Sequence, residues 1–279
     1  MEKISKKKDS IIRDIYSSKK LIFQLAKSDF KTQFSGSYLG IVWAFIQPIV
    51  TVLVYWFVFE KGMHAGGINT KEGITVPFVL WLVAGIVPWF FFQDALVGGT
   101  NSLIQYNYLV KKVVFKITIL PVVKNLSSVF VHGFFVLFMV VLFLCYGRFP
   151  GVYIIQLLYY SACTFALTLG LSYFTAAIVV FFRDMSQIIS ICLQVMMWMT
   201  PIMWNFDALA GNLSRPIQMI FKLNPVYYIV NGYRDTMINQ LGFWNHPKLT
   251  CYFWGVTLGM LAFGMRVFKK LKTHFADVL

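Results

Sequence analysis

The sequence predicts an all-α integral membrane protein with six transmembrane helices, an N-terminal interfacial amphipathic helix and extracellular re-entrant helices. Of its 279 residues, 58% are hydrophobic and only 13% are charged, which is far from the balance of a soluble globular domain. Six windows are predominantly apolar over about 20 residues, the length that a helix needs to cross a hydrocarbon core roughly 30 Å thick. The basic residues concentrate in alternate connecting segments, as they do in polytopic membrane proteins.

The six windows cover residues 38–59, 77–98, 119–146, 152–181, 186–204 and 249–268. Most of the 25 Lys and Arg residues lie before the first window, between the second and third windows, and at the C-terminal end. Because Lys and Arg accumulate in cytoplasmic segments, we expect a multi-pass protein of the cell membrane with both termini in the cytoplasm. Topology and attraction to anionic lipid then account for the net charge of +14, and no nucleic-acid partner is expected.

This organisation divides the chain into a cytoplasmic N-terminal segment (1–37), a six-helix transmembrane domain (38–268) and a cytoplasmic C-terminal tail (269–279). The first segment contains no compact apolar region followed by small residues, so we expect the first span to be its own targeting signal. The four cysteines are widely separated and lie in or beside apolar windows. Neither a disulfide framework nor a metal site is therefore predicted.

The segment from Leu21 to Phe34 has the pattern of an amphipathic helix. Its apolar residues recur at three- and four-residue steps against several lysines, which is typical of a helix that lies in the membrane interface. The chain is expected to turn into the membrane at 35–37, and Pro48 interrupts the first span where neighbouring helices can compensate. A simple membrane anchor is the alternative interpretation of this segment.

Residues 98–121, between the second and third windows, are long and apolar for a connection. Leu109 and Val110 lie beside the basic residues Lys111 and Lys116. Such a segment either lies on the membrane or docks into the groove of a partner protein, and the pattern alone leaves both possibilities open.

Polar residues mark the next two spans. Arg183 and Asp184 follow directly after the fourth window, where they form either an interfacial stop signal or a hinge or inter-subunit contact at the cytoplasmic side. In the fifth window, Gln187, Gln194 and Trp198 share one helical face with Ser190 and Pro201. Polar groups are disfavoured against lipid, so we expect that face to meet another helix or an aqueous path.

The outer loop from Asn205 to His246 alternates apolar and aromatic residues at helical spacing. The pattern predicts two short helices that are broken at Asn224-Pro225 and dip partly into the outer face of the membrane. In the sixth window, Gly255 and Gly259 form a pair of small residues four apart, which predicts a packing seam.

Several functional motifs do not occur in the sequence. It has no G-x-x-x-x-G-K-[ST] loop to hold the phosphates of a nucleotide, no H-E-x-x-H and no G-x-S-x-G. Its eleven acidic residues are scattered, whereas a proton relay requires them to be grouped. We therefore expect no catalytic site, no metal and no cofactor in this chain, and an embedded enzyme or ion-coupled carrier is disfavoured.

Five stretches, taken in order along nearly the whole chain, resemble the permease subunit of the ABC-2 polysaccharide exporters. They are "SDFKTQFSGSYLGIVWAFIQPI", "NYLVKKVVFKITILP", "FFRDMSQ", "PIMW" and "NPVYYIVNGYRD". Within that family, "VPFVLWLVAGIVPWFFFQDALVGGT", "NPVYYIVNGYRD" and the closing "FADVL" look most like the Gram-positive wall teichoic acid exporters. Lys116 departs from the pattern, because many relatives have proline after the phenylalanine.

The resemblance implies a type V exporter fold and a homodimer bound to two copies of a separate ATPase, which binds ATP and Mg²⁺. It also implies roles for individual residues. A coupling helix of this chain, seated in a groove of the ATPase, would contain Leu109, Val110, Lys111, Lys112, Val113, Phe115 and Lys116. The interface helix beside the cytoplasmic entrance would contain Lys19, Lys20, Lys27, Phe30, Lys31 and Phe34. The transport path would be bordered by Trp43, Gln47, Gln187, Gln194 and Trp198. Its exit would be closed by helices around Tyr227, Tyr228, Tyr233 and Arg234.

The cargo implied by the resemblance is an anionic teichoic acid polymer linked to undecaprenyl diphosphate, moved from the inner to the outer face of the membrane. Its phosphates cannot cross hydrocarbon without a large desolvation cost, so a lined pathway is required. Three alternatives remain open at this stage. They are export of O-antigen or capsular polysaccharide, export of drugs or small lipids, and a membrane-embedded glycosyl or acyl transferase that uses residues such as Asp94, His132, Asp184 or Asp235.

Overall fold

The computed structural model describes residues 11–33, 38–64, 66–70, 73–111, 115–211 and 214–278. Helices dominate the described residues. They are α1 (Ile11–Ser17), α2 (Lys19–Thr32), α3 (Trp43–Trp56), α4 (Phe78–Thr100), α5 (Ser102–Gln105), α6 (Asn107–Val110), α7 (Leu120–Cys145), α8 (Gln156–Val179), α9 (Met185–Met199), α10 (Phe206–Ala210), α11 (Arg215–Leu223), α12 (Pro225–Arg234), α13 (Pro247–Leu271) and α14 (Phe275–Val278). Two strands, β1 (Ile68–Asn69) and β2 (Thr75–Val76), pair antiparallel with Ile68 opposite Val76.

Five described helices are long and apolar enough to cross a membrane, and they fall on five of the six predicted windows. Short 3₁₀ or π turns lengthen four of them, so these spans cover Gly40–Gly62, Phe78–Thr100, Ile117–Cys145, Gly151–Val179 and Pro247–His274. The remaining window, 186–204, is occupied by the shorter apolar helix α9 of 15 residues. It ends at Met199, and Thr200 is extended (ψ 127°), because the residue before a proline is pushed out of the helical region. A 15-residue helix is only about 22 Å long, shorter than the hydrocarbon core of about 30 Å.

The spans differ in how much protein surrounds them. In α4, 83% of the most apolar window is buried, whereas the corresponding share is 11% for the span that contains α3. The centre of the fold is therefore α4, which packs against α7, α8 and α12. The span containing α3 lies at the edge of the chain and exposes most of its apolar surface.

Helices α8 and α13 approach closely at a pair of glycines. A Cβ atom added to Gly170 would lie 2.8 Å from the backbone nitrogen of Leu261, and one added to Gly264 would collide with the Gly170 carbonyl oxygen. In contrast, a Cβ atom at Gly255 or Gly259 meets no described atom within 4 Å. The predicted seam at Gly255 and Gly259 is therefore wrong for packing within this chain, and the seam lies further along the same helix.

The predicted break in the outer loop is confirmed. Helix α11 ends at Leu223, and the Asn224 side chain caps α12 by accepting a hydrogen bond of 3.0 Å from the Val226 N–H. Pro225 occupies the first turn of α12, where its missing N–H costs no helical hydrogen bond. Val226 and Ile229 of α12 pack with residues of α4, α8 and α13 in one of two apolar clusters.

The second apolar cluster lies where both ends of the chain meet. It joins Ile11 and Ile22 of the N-terminal helices, Leu103 and Val110 of the connection after α4, and Phe275 of α14. The N-terminal segment, this connection and the C-terminal tail are thus at one end of the molecule.

Candidate functional site

Helix α2 packs along α7, and its buried contacts are partly charged. Its Ile22 and Ala26 are buried by protein, so this part of the predicted membrane-facing surface does not face lipid. Asp29, one helical turn further on, is 6% exposed. It accepts a hydrogen bond from the Tyr106 hydroxyl at 2.5 Å and pairs with the ammonium of Lys124 at the same distance. Asp29 therefore ties α2 both to α7 and to the connection between α4 and α7.

Burial and the adjacent Asp29 carboxylate also affect Tyr106. Removing the phenol from water raises the pKa of Tyr106, and the hydrogen bond to Asp29 raises it further, since ionisation would place two negative charges side by side. The Lys124 ammonium lies 5.3 Å from the centre of the Tyr106 ring, within the range of a cation–π interaction. Tyr106 is held as a neutral donor between the two helices.

A second carboxylate makes a similar connection from α1. Asp14 accepts a hydrogen bond from the Thr118 hydroxyl at 3.0 Å and lies 3.4 Å from the Lys116 ammonium. Lys116 also donates to the Ser17 hydroxyl at 2.8 Å. The two N-terminal helices thus hold the connection at both of its ends, at Tyr106 on one side and at Lys116 and Thr118 on the other.

The residues predicted to couple to an ATPase lie between these anchors. Leu109 is half-buried and Val110 buried, whereas Lys111 is exposed at the turn that follows α6. Phe115 is half-buried and Lys116 exposed. Lys112 and Val113 lie outside the described residues. The described part of the connection consists of the short helices α5 and α6 and a 3₁₀ turn at Ile117–Ile119, with no helix running through Lys111.

The residues predicted for the cytoplasmic entrance lie mainly on the outer side of α2. Lys19, Lys20, Lys27 and Lys31 are exposed. Phe30 is half-buried and packs on Phe130 of α7, with ring centres 5.6 Å apart. Phe34 lies outside the described residues. Arg183 and Asp184, the predicted hinge, are exposed in the turn that joins α8 to α9.

The predicted path residues separate into two groups. Trp43 and Gln47 of α3 line a cavity of about 460 Å³ that α3 forms with α4 and α7. Gln187, Gln194 and Trp198 do not line this cavity, because they lie on the exposed face of α9. Trp198 is 61% exposed, so the described residues of one chain leave this face uncovered.

Sequence reasoning did not assign four polar residues to this cavity. Gln93 and Asp94 reach it from α4, and Ser128 and His132 reach it from α7. The signal that could have found them is the presence of such groups inside apolar windows, where each one requires a polar partner or a ligand.

The predicted exit residues are buried. The Arg234 side chain is 2% exposed and donates to the carbonyl oxygens of Pro201 and Ile202 at 2.6 and 2.7 Å. Its guanidinium lies 3.7 Å from the centre of the Trp81 ring. Arg234 thereby holds the loop after α9 against α12. This packing role was not visible in the sequence.

The tyrosines of α12 form a buried polar cluster. The Tyr228 hydroxyl lies 3.1 Å from that of Tyr159, and the Tyr233 hydroxyl lies 2.9 Å from Nε2 of His132. Tyr227, Tyr228 and Arg234 line a second cavity of about 220 Å³ on this side of the molecule. Tyr233 thus links the outer helix α12 to a residue that lines the first cavity.

Comparisons with known proteins agree over most of the chain. A family model described as "ABC-2 type transporter" matches residues 20–238. An O-antigen export system permease protein RfbA of Klebsiella pneumoniae is 27% identical over 268 residues, which cover 93% of this chain and 95% of the relative. A protein of the same name from Myxococcus xanthus is 28% identical over 230 residues, which cover 80% of this chain and 82% of the relative.

Proposed function

This chain belongs to the ABC-2 type transporter family, and from that premise we propose that it is the membrane permease of an ATP-driven exporter of lipid-linked O-antigen-type polysaccharide. The observation that carries the proposal is the match to O-antigen export permeases over 93% of this chain and 95% of the relative. A match of that extent includes the spans, the cytoplasmic connection and the outer helices together. The exporter acts in the cell membrane with both termini of the permease in the cytoplasm.

ATP hydrolysis in this proposal belongs to a separate subunit. The sequence has no phosphate-binding loop, so two ATPase subunits, each with ATP and Mg²⁺, dock on a permease homodimer. The connection between Asn101 and Lys116 is the docking segment, supported by the exposed position of Lys111 and by the anchors at Asp14 and Asp29. Exposed apolar surface on α3 and α9 supports a second copy of the chain as the neighbour of those helices.

The cargo enters from the cytoplasm and leaves on the outer face. Exposed lysines on α2 attract the diphosphate of the lipid carrier at the membrane surface. A polar polymer cannot cross hydrocarbon without a large desolvation cost, so it moves along a protein-lined path between the two subunits. Rocking of the subunits, driven by the ATPases, alternates access between the two sides.

A second candidate cargo is a wall teichoic acid polymer. The observation that favours it is the likeness of "VPFVLWLVAGIVPWFFFQDALVGGT" and the closing "FADVL" to the teichoic acid branch of the family. The two cargoes differ in charge, because a teichoic acid carries a phosphate in every repeat whereas many O-antigen repeats are neutral sugars.

The test of the proposal is co-purification with the ATPase encoded beside this chain, followed by ATP hydrolysis in lipid nanodiscs. Addition of a lipid-linked O-antigen polymer is expected to stimulate hydrolysis more than addition of a lipid-linked poly(glycerol phosphate). Leu109→Glu and Val113→Glu are expected to abolish assembly, since each adds a charge to the apolar sequence that is proposed to dock on the ATPase. Leu209→Glu, at an exposed leucine of α10, is the matched control and is expected to assemble normally.

The proposal fails if the chain purifies without an ATPase or if only the phosphate polymer stimulates hydrolysis. A complex that tolerates both glutamate substitutions contradicts the docking segment alone.

A further inference from the structure

Helix α9 makes few buried contacts with the rest of its own chain. Of its fifteen described residues, only Leu193 is buried. Ile189 and Met197 are half-buried against the main apolar cluster, and the turn that leads into α9 is exposed at Arg183 and Asp184. Few buried apolar contacts are typical of elements that move. The position of α9 therefore depends strongly on the contacts at its two ends.

The N-terminal end of α9 is held by a hydrogen bond between two side chains. The Ser186 hydroxyl, in the first turn of α9, donates to Oδ1 of Asn101 at 2.6 Å. The amide nitrogen of Asn101 donates in turn to the Val97 carbonyl oxygen of α4 at 3.0 Å, so the amide presents its oxygen to Ser186. Asn101 is also the first residue of the docking segment. The bond to Ser186 thus joins α9 to the segment that is proposed to contact the ATPase.

The C-terminal end of α9 is held by the outer helix α12. Thr200 directly follows α9 and is fully buried, and its hydroxyl accepts a hydrogen bond of 2.8 Å from Nδ2 of Asn224. The same Asn224 caps α12 through its Oδ1. Arg234 of α12 donates to the next two carbonyl oxygens, those of Pro201 and Ile202. The residue that separates α11 from α12 is thus bonded to the residue at which α9 ends.

These end contacts make α9 a bridge about 22 Å long between the docking segment and the start of α12. A helix keeps its length when it shifts, because its backbone hydrogen bonds are internal. The alternative route between the same two parts is α4, which also packs against α12. In α4, however, 83% of the most apolar window is buried, and a close-packed helix cannot shift without repacking its neighbours. Helix α9 can shift with much less repacking.

We propose that Ser186 and Thr200 are positioning residues through which α9 links the docking segment to the outer helices α11 and α12. Displacement of the docking segment acts on Ser186 through Asn101, and Thr200 passes the displacement of α9 to Asn224. The inference rests on the proposed function, since it requires an ATPase that moves the docking segment. It adds to that function the contacts that carry the movement to the outer side.

The test reads a signal at the outer helices while the contact at the other end of α9 is removed. It uses the complex with a hydrolysis-deficient ATPase in lipid nanodiscs. The exposed cysteines Cys145, Cys192 and Cys251 are replaced by serine, and a spin label is attached to Met219→Cys on the exposed side of α11. The EPR spectrum of this background complex is expected to change when ATP is added.

Ser186→Ala is expected to reduce this ATP-dependent change about fivefold, the effect of losing one hydrogen bond on the balance between two positions of α9. Assembly and the binding of a fluorescent ATP analogue are expected to be unchanged, because Ser186 lies outside the docking segment. Ser186→Thr keeps the hydroxyl and is expected to keep the response. Ser28→Ala, at an exposed serine of α2, is the matched control and is expected to respond fully.

Thr200→Val removes the hydroxyl at the other end of α9 while keeping the shape of the side chain. It is expected to reduce the response as Ser186→Ala does. The two contacts act in series, so the double variant is expected to lose no more than either single variant. Because Ser186→Ala is tested by itself, poor folding of a variant at the buried Thr200 does not remove the test.

A full response in a folded Ser186→Ala complex would overturn the inference. Losses that multiply in the double variant would do the same, because they would indicate two independent routes. A background complex that binds ATP without any change at α11 would also overturn it. These results are separable from a failure of the proposed function. A complex that is stimulated by O-antigen polymer and is indifferent to Ser186→Ala keeps the function and loses the role of α9.

Discussion

The ion pair between Asp29 and Lys124 gives the sharpest prediction about how the N-terminal helices are held. The two side chains are 7% and 12% exposed and lie 2.5 Å apart, and Asp29 also accepts from Tyr106. Asp29→Ala leaves the Lys124 ammonium in a mostly buried position without its carboxylate. Loss of one partner of a buried pair costs about 3–5 kcal/mol. Because Lys124 keeps a little access to water, we expect the unfolding free energy to fall by about 3 kcal/mol, at the lower end of this range.

A double-mutant cycle separates the pair from general damage. Asp29→Ala, Lys124→Met and the combination are purified, and their unfolding free energies are measured by denaturant titration in mixed micelles. The combined variant is expected to be more stable than the sum of the two single losses by about 2 kcal/mol, because it leaves no unpaired charge. Asp184→Asn, which removes an exposed carboxylate, is the control and is expected to change stability by no more than about 0.5 kcal/mol.

Additive losses in this cycle would refute the reasoning. Agreement of the combined variant with the sum of the single variants to within about 0.5 kcal/mol would mean that the two side chains are energetically independent. In that case α2 would be held to α7 by its apolar contacts alone.

Three further predictions follow from buried contacts. Gly264→Val is expected to destabilise the protein by about 3 kcal/mol or more, because the added carbons collide with the Gly170 carbonyl. The yield of folded permease, measured by size-exclusion chromatography, is expected to fall. Gly259→Val, at a position with no described atom nearby, is the control. Arg234→Met is expected to increase proteolysis of the loop after α9, since it leaves two buried carbonyls, including that of Pro201, without donors. Folding raises the pKa of Tyr106 above its ordinary value of 10.0, so its contribution to stability is complete below pH 10 and falls as the pH rises further. Denaturant titration of the wild type and of Tyr106→Phe between pH 8 and 11 is expected to show a steeper loss of stability in the wild type.

The positions of the spans were predictable because they depend on local composition. Long apolar runs fix α4, α7 and α8 to within a few residues of the predicted windows. The break at Asn224-Pro225 was also predictable, since it depends on a cap and on a residue that cannot donate a backbone hydrogen bond. The C-terminal limit of helix α9 was not predicted, because Pro201 was placed within window 186–204, whereas Thr200 before it already leaves the helix.

Contacts between distant parts of the chain were not predictable in the same way. Asp29 and Lys124 are 95 residues apart, and each was interpreted only by its local pattern, as part of an interface helix and as a cytoplasmic charge. The cavity combines residues of α3, α4 and α7, so no single window contains its signature. Arg234 was assigned to the exit only by the family resemblance, because its two carbonyl acceptors lie more than thirty residues earlier in the chain and no local pattern indicates them.

The predicted coupling, exit and path residues remain predictions for the assembled exporter. What the fold adds is a physical connection between them. Asp14 and Asp29 hold the connection between α4 and α7 to α1 and α2. Helix α2 lies along α7, whose His132 lines the cavity and contacts Tyr233 of the outer helix. A continuous series of contacts between described residues thus joins the connection after α4 to the cavity and to the outer helix α12.

Transport in a defined system tests the central claim most directly. The permease and its ATPase are reconstituted into liposomes with a lipid-linked polymer, and the polymer that becomes accessible on the opposite face is measured with and without ATP. We predict ATP-dependent translocation of a neutral O-antigen-type polysaccharide by the wild-type complex and loss of translocation with a hydrolysis-deficient ATPase. Translocation that is confined to a poly(glycerol phosphate) polymer, or no translocation by a complex that hydrolyses ATP, would contradict the account.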